Sequence, residues 1–391
     1  MNARERVLLA LNHREPDRVP FDMGGTVVTG INRKPYAALV QALGLPPRDT
    51  PLTDIIQQIV RVDDDVLDRL GVDVKNISPR SSATYQIDVQ DGGDHTYFYD
   101  EFKIGWRMPK DGGFYYDMFS HPLAGQQSLE AIDAFTWPDP LDPARFAGLK
   151  AAAEHVKNVE QRAVVVGSIS AGIMEIFAWT RGFKDSFLDY AGNEKLAAKI
   201  MDKVLEIQIA YWDKMFSTIG DNVDVAATAD DFAGQECMLI SPRTYRKLCK
   251  PRHKELFDFI HSHSSAKVFF HSCGSIRAVI PDLIEIGCDI LNPVQVSATG
   301  MDSAELKREY GRDLTFWGGG VDTQRVLGEG TPQEVREEVK RRVTDLMPGG
   351  GFVFNTVHNI QPNVPAENIL AMWETLREYG VYQSEPKAEA V

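Results

Sequence analysis

Eight short, β-rich apolar runs punctuate this chain, and their alternation with longer helical patterns restricts its fold more than any other feature. They are RVPFDM (18–23), VDVKNI (72–77), AVVVGSI (163–169), VDVAATA (223–229), KVFFHSC (267–273), CDILNPV (288–294), LTFWGGG (314–320) and GFVFNTV (351–357). Most are continuously apolar rather than alternating, the pattern of parallel strands covered on both faces. The segments between them read as helices. SPRTYRKLCKPRHKELFDFIHSH opens on a Ser-Pro start signal, SIRAVIPDLIEIG closes on glycine, and TPQEVREEVKRRVTDLM repeats apolar residues at helical spacing. Strand then helix, eight times over, predicts an α/β fold, a (β/α)8 TIM barrel forming one domain over 1–391. A doubly wound open sheet is the alternative, but eight parallel strands would make it unusually wide.

One segment breaks the rhythm. Residues 81–121 carry the alternating TYQIDV, the turn DGGD and the aromatic YFYDEFKIGWRM, which predict a β-hairpin insertion after the second barrel strand. It either walls the site or decorates the surface. The tail from YQSEPKAEAV is expected to fray. The chain carries a net charge of −14 and no run of Lys or Arg, so nucleic acid and anionic membranes are excluded as expected partners. The charged start has no signal-peptide core and no apolar stretch is long enough to span a bilayer, so a cytoplasmic protein is expected. Four cysteines in 391 residues suggest no disulfide framework.

Barrels of this type place their chemistry at the C-terminal ends of the strands. Polar and glycine residues gather at that end of the apolar runs: Met23-Gly24-Gly25-Thr26, Ser168 and Ser170, Asp230-Asp231 with Gln235, His271 and Cys273, Asn292 with Gln295, Gly318-Gly319-Gly320, and Asn355 with His358. His271 and Cys273 stand two residues apart and project to one side of a strand. With His358 carried across the mouth by barrel closure, they could hold a catalytic zinc, which takes three protein ligands and keeps one open position. Alone, such a pair is equally compatible with ordinary packing. Asp230 and Asp231 could bind substrate, or cap and pair locally. Trp179 could line a pocket or pack a helix. WGGG could bring backbone N–H groups to a ligand or pack tightly. His253, His261 and His263 read as surface residues of the polar helix before the fifth strand. Cys237, Cys249 and Cys288 read as structural.

These motifs resemble the uroporphyrinogen decarboxylase-like superfamily, which includes the haem-pathway decarboxylase and zinc-dependent methyltransferases of corrinoid pathways. RVLLALNHREPDRVPF is similar to the family's opening helix and strand. DDFAGQECMLISPRTYRKLCKPRHKELFDFIHS, FFHSCGS, IGCDILN, GGVDTQRVL and GGFVFNTVHNIQPNVPAENI follow in the family's order. The decarboxylase branch carries an Arg-Gln-Ala-Gly-Arg signature after the first strand. Here that place reads MGGTVVTG, with no arginine until Arg33, and a polycarboxylate without guanidinium partners would be left unpaired. The methyltransferase branch, which includes methylcobalamin:coenzyme M methyltransferase, carries the H-x-C pair on its fifth strand. Its third ligand is a cysteine after the last strand, whereas His358 stands here.

The resemblance implies a zinc-dependent methyltransferase that exchanges a methyl group between a small thiol, hydroxyl or phenol substrate and a corrinoid. His271, Cys273 and His358 would hold zinc. Asp230, Asp231 and His358 would serve the chemistry, while Gln235, Asn292, Asn355, Trp179 and Met23 would bind substrate. Zn and a corrinoid (methylcobalamin), free or on a partner corrinoid protein, are the implied cofactors, and a homodimer the implied assembly. The alternatives are a metal-free decarboxylase of a small carboxylated substrate, using His358 and Asp231 for proton transfer, and a non-catalytic corrinoid-binding barrel.

Overall fold

The computed structural model describes residues 1–383. In chain order its strands are β1 (Leu52–Asp54), β2 (Ile59–Val60), β3 (Val74–Ile77), β4 (Gln90–Asp91), β5 (His95–Tyr99), β6 (Gly105–Pro109), β7 (Asp117–Ser120), β8 (Ala163–Val166), β9 (Val225–Ala229), β10 (Lys267–His271), β11 (Ile290–Asn292), β12 (Thr315–Trp317) and β13 (Phe352–Val353). Seven form one parallel sheet in the order β13-β12-β11-β10-β9-β8-β3. Apart from β3, their residues are almost wholly buried, as strands between a filled interior and a coat of helices must be.

The first apolar run closes the ring without becoming a regular strand. Phe354 N donates to Pro20 O (2.8 Å) and Asp22 N to Phe354 O (2.9 Å) on one side, while Asp73 N donates to Phe21 O (2.8 Å) on the other. Residues 20–22 thus join both edges of the seven-stranded sheet, and the fold is the (β/α)8 barrel. Pro20 has no N–H and Gly24-Gly25 follow at once, so the ladder has little to propagate along.

Three aspartates in similar contexts, VDV, VDV and CDI, tie neighbouring strands together at their N-terminal ends. Asp73 accepts from Phe21 N (2.8 Å), Asp224 from Val164 N (2.9 Å) and Asp289 from Val268 N (2.8 Å). Asp73 also pairs with Arg6 and Arg18 at 2.6 and 2.7 Å, anchoring the opening helix Ala3–Leu11 beneath the barrel.

The insertion after β3 is a four-stranded antiparallel sheet, β4-β5-β6-β7. Its first strand is shorter than the sequence suggests. TYQIDV is irregular, and pairing starts only at Gln90, because Ile87 and Val89 are exposed and bury nothing. The sheet is not a loose decoration. Phe98, Ile104, Trp106 and Tyr116 are buried, and Trp106 meets Trp179 edge-on at 5.4 Å.

The helices begin where the sequence places them. Ser241 Oγ accepts from Thr244 N (3.0 Å) ahead of Pro242, and Thr331 with Glu334 forms a capping box ahead of Pro332–Leu346. No helix among the described residues is long and apolar enough to cross a membrane. The fraying expected from Tyr382 onward is not seen at that residue, which is buried and whose hydroxyl donates to Met347 O. The remainder of that segment, 384–391, lies outside the described residues.

Candidate active site

His271 is the last residue of β10 and Cys273 lies just past it. The ladder continues one step beyond the strand: Asp230 N donates to His271 O (2.8 Å) and Ser272 N to Asn292 O (2.7 Å). This keeps the backbone extended, so the two side chains project together, with Cys273 Sγ 3.5 Å from His271 Nε2. Gly274 then turns the chain at φ +90°, where a Cβ would meet Gly234 O at 2.5 Å. Its N–H donates to Gln295 Oε1 (2.6 Å).

His358 arrives from the loop after β13. Its ring centroid lies 5.5 Å from that of His271, and the ligand atoms of His271, Cys273 and His358 all fall within 4.8 Å of one another. Ring closure thus brings together three side chains that are distant in sequence. A tetrahedral zinc with bonds of about 2.0–2.3 Å separates its ligand atoms by roughly 3.5 Å, so a closure of about an ångström would seat the ion.

The protonation of the trio suits a metal. Asn292 donates from Nδ2 to Trp317 O (2.7 Å), which fixes its amide and aims Oδ1 at His271 Nδ1 (2.5 Å). Nδ1 therefore carries the proton, leaving the Nε2 lone pair facing Cys273, the usual arrangement behind a metal-binding imidazole. Burial, reinforced by His271, pushes His358 down to about 4 against the pull of Asp231, so its ring is neutral near neutral pH. Burial, with Asp231 and Glu175 adding repulsion, raises the Cys273 thiol. A bound cation reverses that preference and favours the thiolate.

Asp231 holds the Cys273 backbone, accepting from its N–H at 2.7 Å, and lies 3.8 Å from His271 Nε2. Asp230 does not reach the opening. It is fully buried and accepts from Met174 N (2.8 Å), Glu175 N (2.8 Å) and His253 Nε2 (2.9 Å), capping the helix Ile173–Arg181. The reading of His253 as a surface residue is corrected here: it is 1% exposed. On Lys250–His263 it completes the buried stripe His253, Leu256, Phe257 and Ile260, a helical spacing visible in the sequence. His261 and His263 are exposed as expected.

The remaining candidates divide. Gln235 is exposed, and its Oε1 accepts from Ser297 Oγ (3.4 Å). Trp179 is half-buried. Met23 is buried, and Asn355 uses Nδ2 on Asp22 O (3.0 Å) and Thr29 O (3.1 Å). Asn292 faces His271 rather than an open space. The glycines of WGGG pack tightly: a Cβ on Gly319 would meet Val294 at 2.6 Å and one on Gly320 would meet Phe354 at 2.3 Å. Sequence reasoning missed Glu175, whose carboxylate accepts from Gly172 N (3.0 Å). A capping glycine followed three residues later by glutamate, just after a strand end, is the signal that could have found it.

A β/α barrel whose strand-end mouth gathers a cysteine, two histidines and an aspartate defines the class of protein. More closely, a model described as Uroporphyrinogen decarboxylase (URO-D) matches residues 119–379, and the chain belongs to that family. The uroporphyrinogen decarboxylase of Thermus thermophilus is 26% identical over 191 residues, 48% of this chain and 50% of that protein. That of Alkalilimnicola ehrlichii is 38% identical over 60 residues, 15% of this chain and 16% of that protein. The similarity therefore spans half or less of these relatives. A methyltransferase from Methanosarcina mazei shares the fold, with a TM-score of 0.63 and 17% identity, over 97% of this chain and 99% of that one.

Proposed function

We propose that the chain is a zinc-dependent methyltransferase exchanging a methyl group between a small substrate and a corrinoid, the latter free or carried by a separate protein. The observation that carries this reading is the convergence of His271, Cys273 and His358, with the His271 tautomer set by Asn292. Zinc, when bound, supplies a Lewis acid that lowers the pKa of a coordinated heteroatom. The chain's own residues do the rest. His271 and His358 offer neutral nitrogens, and Cys273 offers one thiolate, giving a formal charge of +1 on the loaded site. Asp231 keeps the Cys273 backbone in place.

Metal analysis after mild purification tests the proposal. About one equivalent of zinc is expected, falling at least tenfold in Cys273→Ala. Less than about a tenth of an equivalent, unrestored by added zinc, overturns it. The family description and the named relatives favour a second reading, a metal-free decarboxylase in which His358 and Asp231 move protons. There Cys273→Ala leaves turnover nearly intact.

A further inference from the structure

His358 differs from His271 and Cys273 in how its backbone is held. His271 ends β10 with ladder bonds continuing past it, and the Cys273 N–H is tied to Asp231 at 2.7 Å. His358 lies in the loop after β13, between backbone bonds from Val357 N to Val321 O (3.0 Å) and from Ile360 N to Gly30 O (2.9 Å). Among the described residues, neither the His358 N–H nor the Asn359 N–H has a protein partner. A loop held this sparsely shifts more readily than a strand end. The three ligand atoms lie within 4.8 Å of one another and must draw in to roughly 3.5 Å around an ion. His358 is therefore the ligand that adjusts.

Asn359 ties this span to a segment distant in sequence. It is 1% exposed, and its amide can point only one way. Gln361 Nε2 donates to the backbone carbonyl of Asn359 (3.2 Å) and also to Asn359 Oδ1. Oδ1 is thus the acceptor, and Nδ2 is the group that donates to Gln57 Oε1 at 2.6 Å. Gln57 lies in the turn between β1 and β2, and that turn is fixed independently. Gln57 N donates to Asp54 Oδ1 (2.6 Å), Asn32 Nδ2 to Gln57 O (3.0 Å), and Tyr116 N of the insertion to Ile56 O (2.9 Å). A chain of contacts therefore runs from the insertion through Ile56, Gln57 and Asn359 to the residue beside His358.

We infer that Gln57 is a positioning residue for His358: its side-chain oxygen, acting through Asn359, sets where the 357–360 span rests and so how readily His358 joins His271 and Cys273. The inference rests on the zinc reading of the site. Without that oxygen the buried Asn359 amide loses its near acceptor, and the span gains freedom that metal binding must then remove.

Cobalt(II) titrated into the full, metal-free chain tests it. A thiolate ligand gives a near-ultraviolet sulfur-to-cobalt band, and the visible bands are strong at four-coordination and weaken when water replaces a protein ligand. Wild type is expected to show both. Gln57→Ala should keep the sulfur band, because Cys273 is untouched, while losing about half or more of the visible intensity and binding cobalt about tenfold more weakly. Gln57→Glu keeps an acceptor for Asn359 Nδ2 and should return both readings to within about twofold of wild type. A merely structural role would lower stability, read by urea unfolding on the same samples, without changing the spectrum of the folded chain. Should Gln57→Ala fail to fold, Gln57→Met fills the space without an acceptor and is judged by the same criteria. A wild-type spectrum and affinity in the acceptor-free variant, or Gln57→Glu altered as much as that variant, overturns this inference alone. A wild type without the sulfur band removes the zinc reading and this inference with it.

Discussion

Asn292 illustrates how a residue can be found in the sequence for the wrong reason. Its position at a strand end marks it as a candidate, but its buried amide is fully engaged, accepting from His271 and donating to Trp317 O. No sequence pattern states which way a strand-end amide turns. The spacing of His271 and Cys273, by contrast, was legible because strand alternation fixes direction. His358 needed the barrel's closure as well. Replacing Asn292 with alanine frees the imidazole to rotate and to move its proton to Nε2. Zinc affinity should fall about 10–100-fold, as for other outer-shell partners. The lost bonds should also cost roughly 1–3 kcal/mol of stability. Competition with a chromogenic chelator reads the first effect and urea unfolding the second. Unchanged zinc affinity in a destabilised protein would reduce Asn292 to a packing role.

At the scale of elements, the helix Ile173–Arg181 depends on contacts from outside itself. Its N-terminus has a glycine cap and takes its acceptor from Asp230 across the barrel mouth. The close fit at Gly172, where a Cβ would lie 2.3 Å from Asp230 Oδ1, explains why the cap is glycine. His253 completes the unit from below, and a π-turn at Tyr245–Cys249 precedes its helix. The spacing of Leu256, Phe257 and Ile260 places His253 on the buried face, but its polar side chain between Arg252 and Lys254 makes it read as surface. The helix and strand types were legible, whereas this coupling depends on three segments meeting in space. Asp230→Ala should leave two buried backbone donors and an imidazole N–H unpaired, destabilising the chain by about 3 kcal/mol or more. His253→Ala leaves the helix capped and should cost less. Urea denaturation gives the order, and equal losses would show that capping is not the dominant role.

For the molecule as a whole, the rhythm of eight apolar runs was enough to indicate the barrel, but not how the ring would close. The closing segment carries a carboxyl group into the interior. Asp22 is fully buried, accepting from Gly25 N (2.7 Å) and Trp317 Nε1 (2.8 Å). Burial pushes its pKa up to about 6 from 3.8, against the pull of those donors. The folded chain therefore holds this proton more tightly than the unfolded chain does. As pH rises from about 4 to about 6, Asp22 must ionise in a place that disfavours charge, and its contribution to stability falls. The drop amounts to roughly 3 kcal/mol and levels off above about pH 6. Asp54 and Asp100, also raised to about 6 by burial, slope the same way, while ion-paired carboxylates slope oppositely. The total curve is therefore a mixture, but the difference between wild type and Asp22→Asn isolates one group. Urea unfolding at intervals from pH 4 to 7 should show wild type losing about 3 kcal/mol relative to the variant across that window. A pH-independent difference would mean that Asp22 stays ionised throughout. The two donors would then hold the charge within the ring, and the closing strand would owe its placement to an ionic contact.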